Sequence, residues 1–120
     1  MNDLQKVFNV IKETLYNEQS EVINKEFHAE LKELDNNNVT YDIFIGWYDY
    51  DGFNIDRQLN NYSSGGIDID DGFDFVDYLK WYYLKQDYSA VCQLQVRADN
   101  DTMDTIYIEY NGYELFYDRY

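Results

Sequence analysis

Two short acidic runs carry the residue types that could do chemistry in this chain. They are Asp49-Tyr50-Asp51-Gly52-Phe53 and Asp68-Ile69-Asp70-Asp71-Gly72-Phe73. Clustered carboxylates can hold a metal ion, act as a catalytic acid and base, or receive cations from a partner. A calcium loop of the EF-hand type needs an oxygen ligand at its fifth position, a glycine at its sixth and a glutamate at its twelfth. Counted from Asp49, the fifth and sixth positions are Phe53 and Asn54; counted from Asp68, the fifth is Gly72. Neither run has a suitably placed Glu, so no metal and no other cofactor is expected. Paired acids such as Asp49 and Asp51 could in principle hydrolyse glycosides. A chain this acidic yields such pairs by chance, and the rest of a catalytic set is missing. His28 is the only histidine. No Ser or Cys sits in a nucleophile elbow, and no glycine-rich phosphate loop precedes a helix. Cys92 lies alone in an alternating apolar run, which suits a small core residue better than a nucleophile. The chain is therefore not expected to be an enzyme.

The remaining use of the carboxylates is recognition, and the C-terminal segment points that way. Asn111-Gly112 is a strong two-residue hairpin signal. With that loop Tyr110 faces Tyr113, Glu109 faces Glu114, Ile108 faces Leu115 and Tyr107 faces Phe116. One face then carries Ile106, Ile108, Tyr110, Tyr113, Leu115 and Tyr117 toward a core. The other carries Tyr107, Glu109, Glu114, Phe116 and Asp118. Like charges directly opposite destabilise a hairpin by a few tenths of a kcal/mol. Such a pair between aromatic side chains suits the gripping of Lys or Arg; the other reading is that Arg119 or Arg97 neutralises it within the chain. The expected partner-binding surface is Asp49, Tyr50, Asp51, Asp68, Asp70, Asp71, Tyr107, Glu109, Glu114, Phe116 and Asp118.

These residues must be positioned by the elements between them. Leu4, Val7, Phe8, Ile11 and Leu15 share one helical face, predicting a helix over Asp3 to Asn17. Ser20 can cap a second helix with Ile23, Phe27, Leu31 and Leu34 in line. The segment Glu26 to Glu33 also reads as a strand; the helix is preferred. Asp35-Asn36-Asn37-Asn38 is a turn. Val39 to Tyr48 alternates as a strand, with Phe53, Ile55 and Leu59 returning across an Asp51-Gly52 turn. Asn60 to Gly66 is a loop. Asp71 or Asp74 caps a helix bearing Phe75, Val76, Leu79, Trp81, Tyr82, Tyr83 and Leu84. Ala90, Cys92, Leu94 and Val96 alternate with Val91, Gln93, Gln95 and Arg97 in a further strand. Asp99-Asn100-Asp101 turns the chain into the terminal hairpin. Strands joined by short turns predict an α+β fold, an antiparallel sheet with helices packed on one face.

The 120 residues fit a single domain, spanning 1–120. Nine Lys and Arg against 24 Asp and Glu give 9 − 24 = −15. That sign excludes nucleic acid and anionic membranes as primary partners. Disorder is excluded by 14 Tyr, 7 Phe and 2 Trp, which supply ample apolar surface. One cysteine, no apolar leader and no stretch of membrane-spanning length suggest a cytoplasmic protein.

With Ile43-Phe44-Ile45-Gly46-Trp47-Tyr48 in the first hairpin and Tyr107-Ile108-Glu109-Tyr110 in the last, the chain resembles the immunity proteins that bacteria keep beside secreted or contact-delivered nuclease toxins. The resemblance lies in element order: helix, aromatic hairpin, acidic helix, then a final hairpin. The strand at Ala90 to Arg97 and the Ser-Ser-Gly-Gly loop depart from that pattern. It implies neutralisation of a basic toxin, expected to be a nuclease, in a tight stoichiometric complex. The physics agrees, because a nuclease site is cationic and an acidic protein can occupy it or a patch beside it. The alternative is a phage or plasmid inhibitor that mimics nucleic acid to block a restriction or CRISPR nuclease. Mimicry needs carboxylates spaced like phosphates along a rod, whereas these acids cluster in turns.

Overall fold

The computed structural model describes residues 3–85, 91–98 and 105–119. The expected turn at Asp99-Asn100-Asp101 and the strand residue Ala90 lie outside them, as do the side chains of Phe8, Ile11 and Leu15. The chain forms helix α1 (Asp3–Asn36), strands β1 (Tyr41–Asp49) and β2 (Gly52–Gln58), a 3-10 turn at Tyr62–Ser64 and helix α2 (Phe75–Lys85). Strands β3 (Cys92–Ala98), β4 (Thr105–Tyr110) and β5 (Leu115–Arg119) follow. This is an α+β fold, as the pattern predicts.

The two helices expected before β1 are one. No Gly or Pro falls between Asp3 and Asn36, so nothing forces a break, and Ser20 sits inside the helix instead of capping one. The strand reading of Glu26 to Glu33 is excluded. Ile23, Phe27 and Leu31 are buried at helical spacing, and Leu34 packs beside them. At about 1.5 Å per residue the helix is roughly 50 Å long, which matches the 53 Å long axis of the molecule. Leu4 and Val7 at its start are exposed. It ends where Asn38 adopts a left-handed φ of 55°. There Asn38 N–H bonds the Asp35 carbonyl and Val39 N–H the Leu34 carbonyl, a Schellman closure with asparagine in the usual glycine position.

Helix α2 is capped from two sides. Asp74 Oδ1 accepts from Asp77 N–H at 2.8 Å, the N-cap bond that frees the helix of one orphan donor. Asn24 of α1 reaches across, its Oδ1 accepting from Phe75 and Val76 N–H at 2.8 and 3.3 Å and its Nδ2 donating to Asp74 at 2.8 Å. His28 Nε2–H donates to the Phe73 carbonyl, so the lone histidine also serves the helix junction. Phe75, Val76, Leu79 and Tyr82 bury one stripe of α2, while Trp81 and Leu84 on the same helix are exposed.

The five strands make one antiparallel sheet in the order β2-β1-β3-β4-β5. The last three strands form the expected meander, and pairing of β1 with β3 fuses it to the first hairpin. Along β3 the residues Cys92, Leu94 and Val96 face the helices, together with Ile43 and Ile45 of β1 and Ile106 and Ile108 of β4. These join the helical side chains in one core. Burial pushes the Cys92 thiol up to about 12, as a core cysteine should behave. Among the described residues, no helix is long and apolar enough to cross a membrane.

Candidate partner-binding surface

The terminal hairpin closes differently from expectation. Tyr110 pairs with Leu115, Glu109 with Phe116, Ile108 with Tyr117 and Tyr107 with Asp118. The loop is the four residues Asn111 to Glu114, not Asn111-Gly112 alone. Asn111 Oδ1 accepts from Tyr113 N–H at 2.9 Å and Glu114 N–H at 2.7 Å. This side-chain closure replaces the tighter backbone turn. Gly112 has φ 88°, open to glycine without strain. The consequence is a correction: Glu109 stands opposite Phe116 and not Glu114, so the expected Glu109–Glu114 pair does not form. Tyr113, expected inward, is exposed in the turn. Of the two arginines proposed to neutralise the pair, Arg119 bonds Glu30 of α1 at 3.0 Å and Arg97 stacks on aromatic rings, described below.

Four of the five hairpin residues still share a face. Tyr107, Glu109, Phe116 and Asp118 alternate with the core residues and lie on the side of the sheet away from the helices. The strand register extends that face across all five strands. One row reads Ile55, Gly46, Gln93, Glu109, Phe116; the next reads Gln58, Phe44, Gln95, Tyr107, Asp118. Asp42 and Arg97 pair beyond the second row, Tyr48 and Phe53 beyond the first. Gly46 is required by close approach: a Cβ there would sit 1.9 Å from the Asn54 carbonyl oxygen. The strand irregularity between Ile45 and Gly46 makes that approach.

The face is curved and partly closed over its own centre. Arg97 holds its guanidinium 5.1 Å from the Phe44 ring centroid and 5.8 Å from that of Phe53. Phe53 belongs to the far row, so the long side chains lean together above β3. Beneath them Gln93 and Gln95 are only 6% and 7% exposed, although among the described residues they lie on the side of the sheet away from the helices. Around this centre Tyr48, Ile55 and Phe116 stay open to solvent, at 62%, 46% and 47% exposure. Tyr48 and Ile55 neighbour each other on β1 and β2, and Phe116 stands on β5 at the other edge of the same face; apolar side chains grouped on one face among carboxylates suit an interaction site better than singly scattered ones.

The two acidic runs leave from opposite ends of the sheet. Asp49, Tyr50 and Asp51 form the β1–β2 turn, with Tyr50-Asp51 as its two-residue loop and not Asp51-Gly52. Asp49 Oδ1 accepts from Asp51 N–H at 2.8 Å, and Tyr50 projects fully into solvent. Register places this turn at the same end of the sheet as the Asn111–Glu114 turn, where Gly46 meets Gln93 and Cys92 meets Tyr110. Asp68, Asp70 and Asp71 instead lie in the loop before α2, on the helix side. That loop leaves the sheet where Ile67 N–H bonds Leu59 and Leu59 N–H bonds Ile43, the opposite end. Asp70 Oδ1 accepts from Gly72 N–H at 2.9 Å. Asp71 lines a cleft of about 530 Å³ with Asn24, Lys25, His28 and Lys32 of α1, so cations of the same chain stand beside it. Among the described residues, no group of three or more His, Cys, Asp or Glu could hold a metal ion.

Sequence reasoning thus missed the middle of the surface. Phe44, Tyr48, Phe53, Ile55, Gln93 and Gln95 belong to it. The available signal was phase: Phe44 and Tyr48 are aromatic in the register that β1 turns away from the core. Comparison with protein-family models, with curated proteins and with solved structures finds no match for this chain.

Proposed function

We propose that this chain is a binding protein whose helix-free sheet face docks a basic protein and neutralises it, as an immunity protein neutralises a nuclease toxin. One observation carries the reading: an uncovered sheet face whose exposed Tyr48, Ile55 and Phe116 stand among Asp42, Glu109 and Asp118. Aromatic anchors supply binding energy when desolvated in the centre of an interface. Carboxylates at the rim, backed by a net charge of −15, speed encounter with a cationic surface. The Asp49–Asp51 and Asn111–Glu114 turns extend the acidic rim at one end. Asp68, Asp70 and Asp71 lie too far round the molecule to join the same contact and act only through the long-range field. Nucleic-acid mimicry is supported less, because Arg97 and aromatic rings interrupt the carboxylates of the face.

The test is to produce the protein encoded beside this one, alone and together with this chain. A stoichiometric complex that relieves growth arrest is expected. Raising salt from about 50 to about 500 mM should slow association by about ten-fold or more while dissociation changes less. Tyr48→Ala combined with Ile55→Ala should cost about 2 kcal/mol or more of affinity and leave the thermal midpoint nearly unchanged, since both side chains are exposed. A complex indifferent to salt, or one that forms as well without those two side chains, rules the reading out.

A further inference from the structure

We propose that Gln93, Glu109 and Phe116 form a slot for an arginine guanidinium of the partner; this rests on the reading of the sheet face as the surface that docks a basic protein. The first observation is an unmet acceptor. Gln93 Oε1 is buried and has no hydrogen-bond partner among the described residues. Buried polar groups are nearly always satisfied, and one left unsatisfied disfavours folding. A sheet face open to a partner is the setting in which such a group can be completed from outside.

The second observation is what stands around it. Gln93 pairs with Glu109 on β4, and Glu109 pairs with Phe116 on β5. Side chains directly opposite on one face have Cβ atoms within about 5.5 Å. A carbonyl, a carboxylate and a ring therefore stand in one line. On the other flank is Gly46, which contributes no side chain. The acceptors are a neutral carbonyl and an anion, so the missing group is a cationic donor.

The third observation comes from the same strand. Gln95, two residues along on the same face, has the guanidinium that Gln93 lacks. Arg97 Nη2 donates to Gln95 Oε1 at 3.3 Å while its planar group lies over Phe44 and Phe53. One glutamine of β3 is thus completed by an arginine of the chain, between rings. The other is presented with a ring and a carboxylate and no arginine. Arginine suits the slot better than lysine. Its rigid fork can give one N–H to Gln93 and another to Glu109 while its face rests on Phe116, which a tetrahedral ammonium cannot do. Phe116 is exposed at 47%, so the ring that borders the slot is within reach of a partner.

The test uses the whole protein and N-acetyl-arginine amide, with N-acetyl-lysine amide as control at constant ionic strength, followed by NMR. The arginine probe should shift the Gln93 side-chain amide saturably and bind at least about five-fold tighter than the lysine probe. Gln93→Leu should weaken the arginine probe at least about five-fold while holding or raising the thermal midpoint, because it removes an unmet acceptor at similar volume. Glu109→Gln should weaken the probe without unfolding the chain, which keeps the test decisive if Gln93→Leu folds poorly. The slot is overturned by an absent shift at Gln93, by equal response to the two probes, or by unchanged probe binding in both variants. Its failure is separable from that of the docking reading. If the protein complex tolerates Gln93→Leu but is lost with Tyr48→Ala and Ile55→Ala, the face docks a partner and the slot is wrong. If the arginine probe binds at Gln93 and no basic protein does, the slot stands and the docking reading falls.

Discussion

Glu109 shows how much one residue's meaning depends on its neighbours. Set against Glu114 it would be half of a repulsive pair, and reversing its charge would relieve the free protein. Set against Gln93 and Phe116, as the strand register has it, it has no opposing carboxylate to relieve. Glu109→Lys is therefore expected to change stability by no more than about 0.5 kcal/mol, the usual range for a surface substitution. Affinity for a basic partner should fall by about 2 kcal/mol or more, because the variant sets a cation against a cationic surface. A thermal melt and a dissociation constant measured on the same variant check this. A stability loss well beyond that range with affinity intact would assign Glu109 to the fold alone.

At the scale of elements, the junction of α1 and α2 holds the helical layer over the sheet. Asn24 makes three of its hydrogen bonds, two to the backbone that starts α2 and one to the capping Asp74. These satisfy amide groups that a helix start leaves unpaired. Phe27 and Phe75 meet edge to face beneath them, with ring centroids 4.2 Å apart, an arrangement that adds to their burial. Asn24→Ala leaves the Phe75 and Val76 amides without this acceptor, and a destabilisation of about 1–2 kcal/mol is expected. The sheet face lies on the far side of the core, so affinity for the partner should stay level. Urea unfolding and binding of the same variant separate the two effects; a comparable drop in affinity would place the helix junction in the binding surface.

At the scale of the whole molecule, stability should depend on alkaline pH. Burial raises Cys92 from an ordinary value of 9.0 to about 12. Burial also raises Tyr41, Tyr78, Tyr110 and Tyr117, with Asp35 adding to the effect at Tyr41 and Glu30 at Tyr117. Each of these groups becomes charged on losing its proton. Below the unfolded values both states keep their protons, and the contribution to stability is fully present. As pH rises past them, the unfolded chain releases protons that the folded chain retains, so stability falls until the folded values are reached. The urea midpoint should drop as pH rises from about 9 toward about 12, and Cys92→Ala should make that drop shallower. A midpoint that holds level or rises over this interval would contradict the burial of these groups.

The sequence by itself determined the elements, because their period is local. Ile23, Phe27 and Leu31 at helical spacing, Ile43 and Ile45 in alternation, and Ile106 and Ile108 in alternation all reached the core they implied. Whether Ser20 starts a helix was less legible, since a serine is tolerated within one when tertiary packing holds the turns on either side. The hairpin register hung on Asn111, whose side chain could close a longer loop than Asn-Gly suggests, and moving the loop moved every partner of Glu109. Only the tertiary structure decided that β1 pairs with β3. No local pattern encodes which strands meet across intervening residues, yet that pairing sets Gly46 beside Gln93 and assembles Phe44, Gln95 and Tyr107 into one row. The chain path likewise carries two similar acidic runs away from opposite ends of the sheet, because it, and not their composition, decides what stands beside each carboxylate.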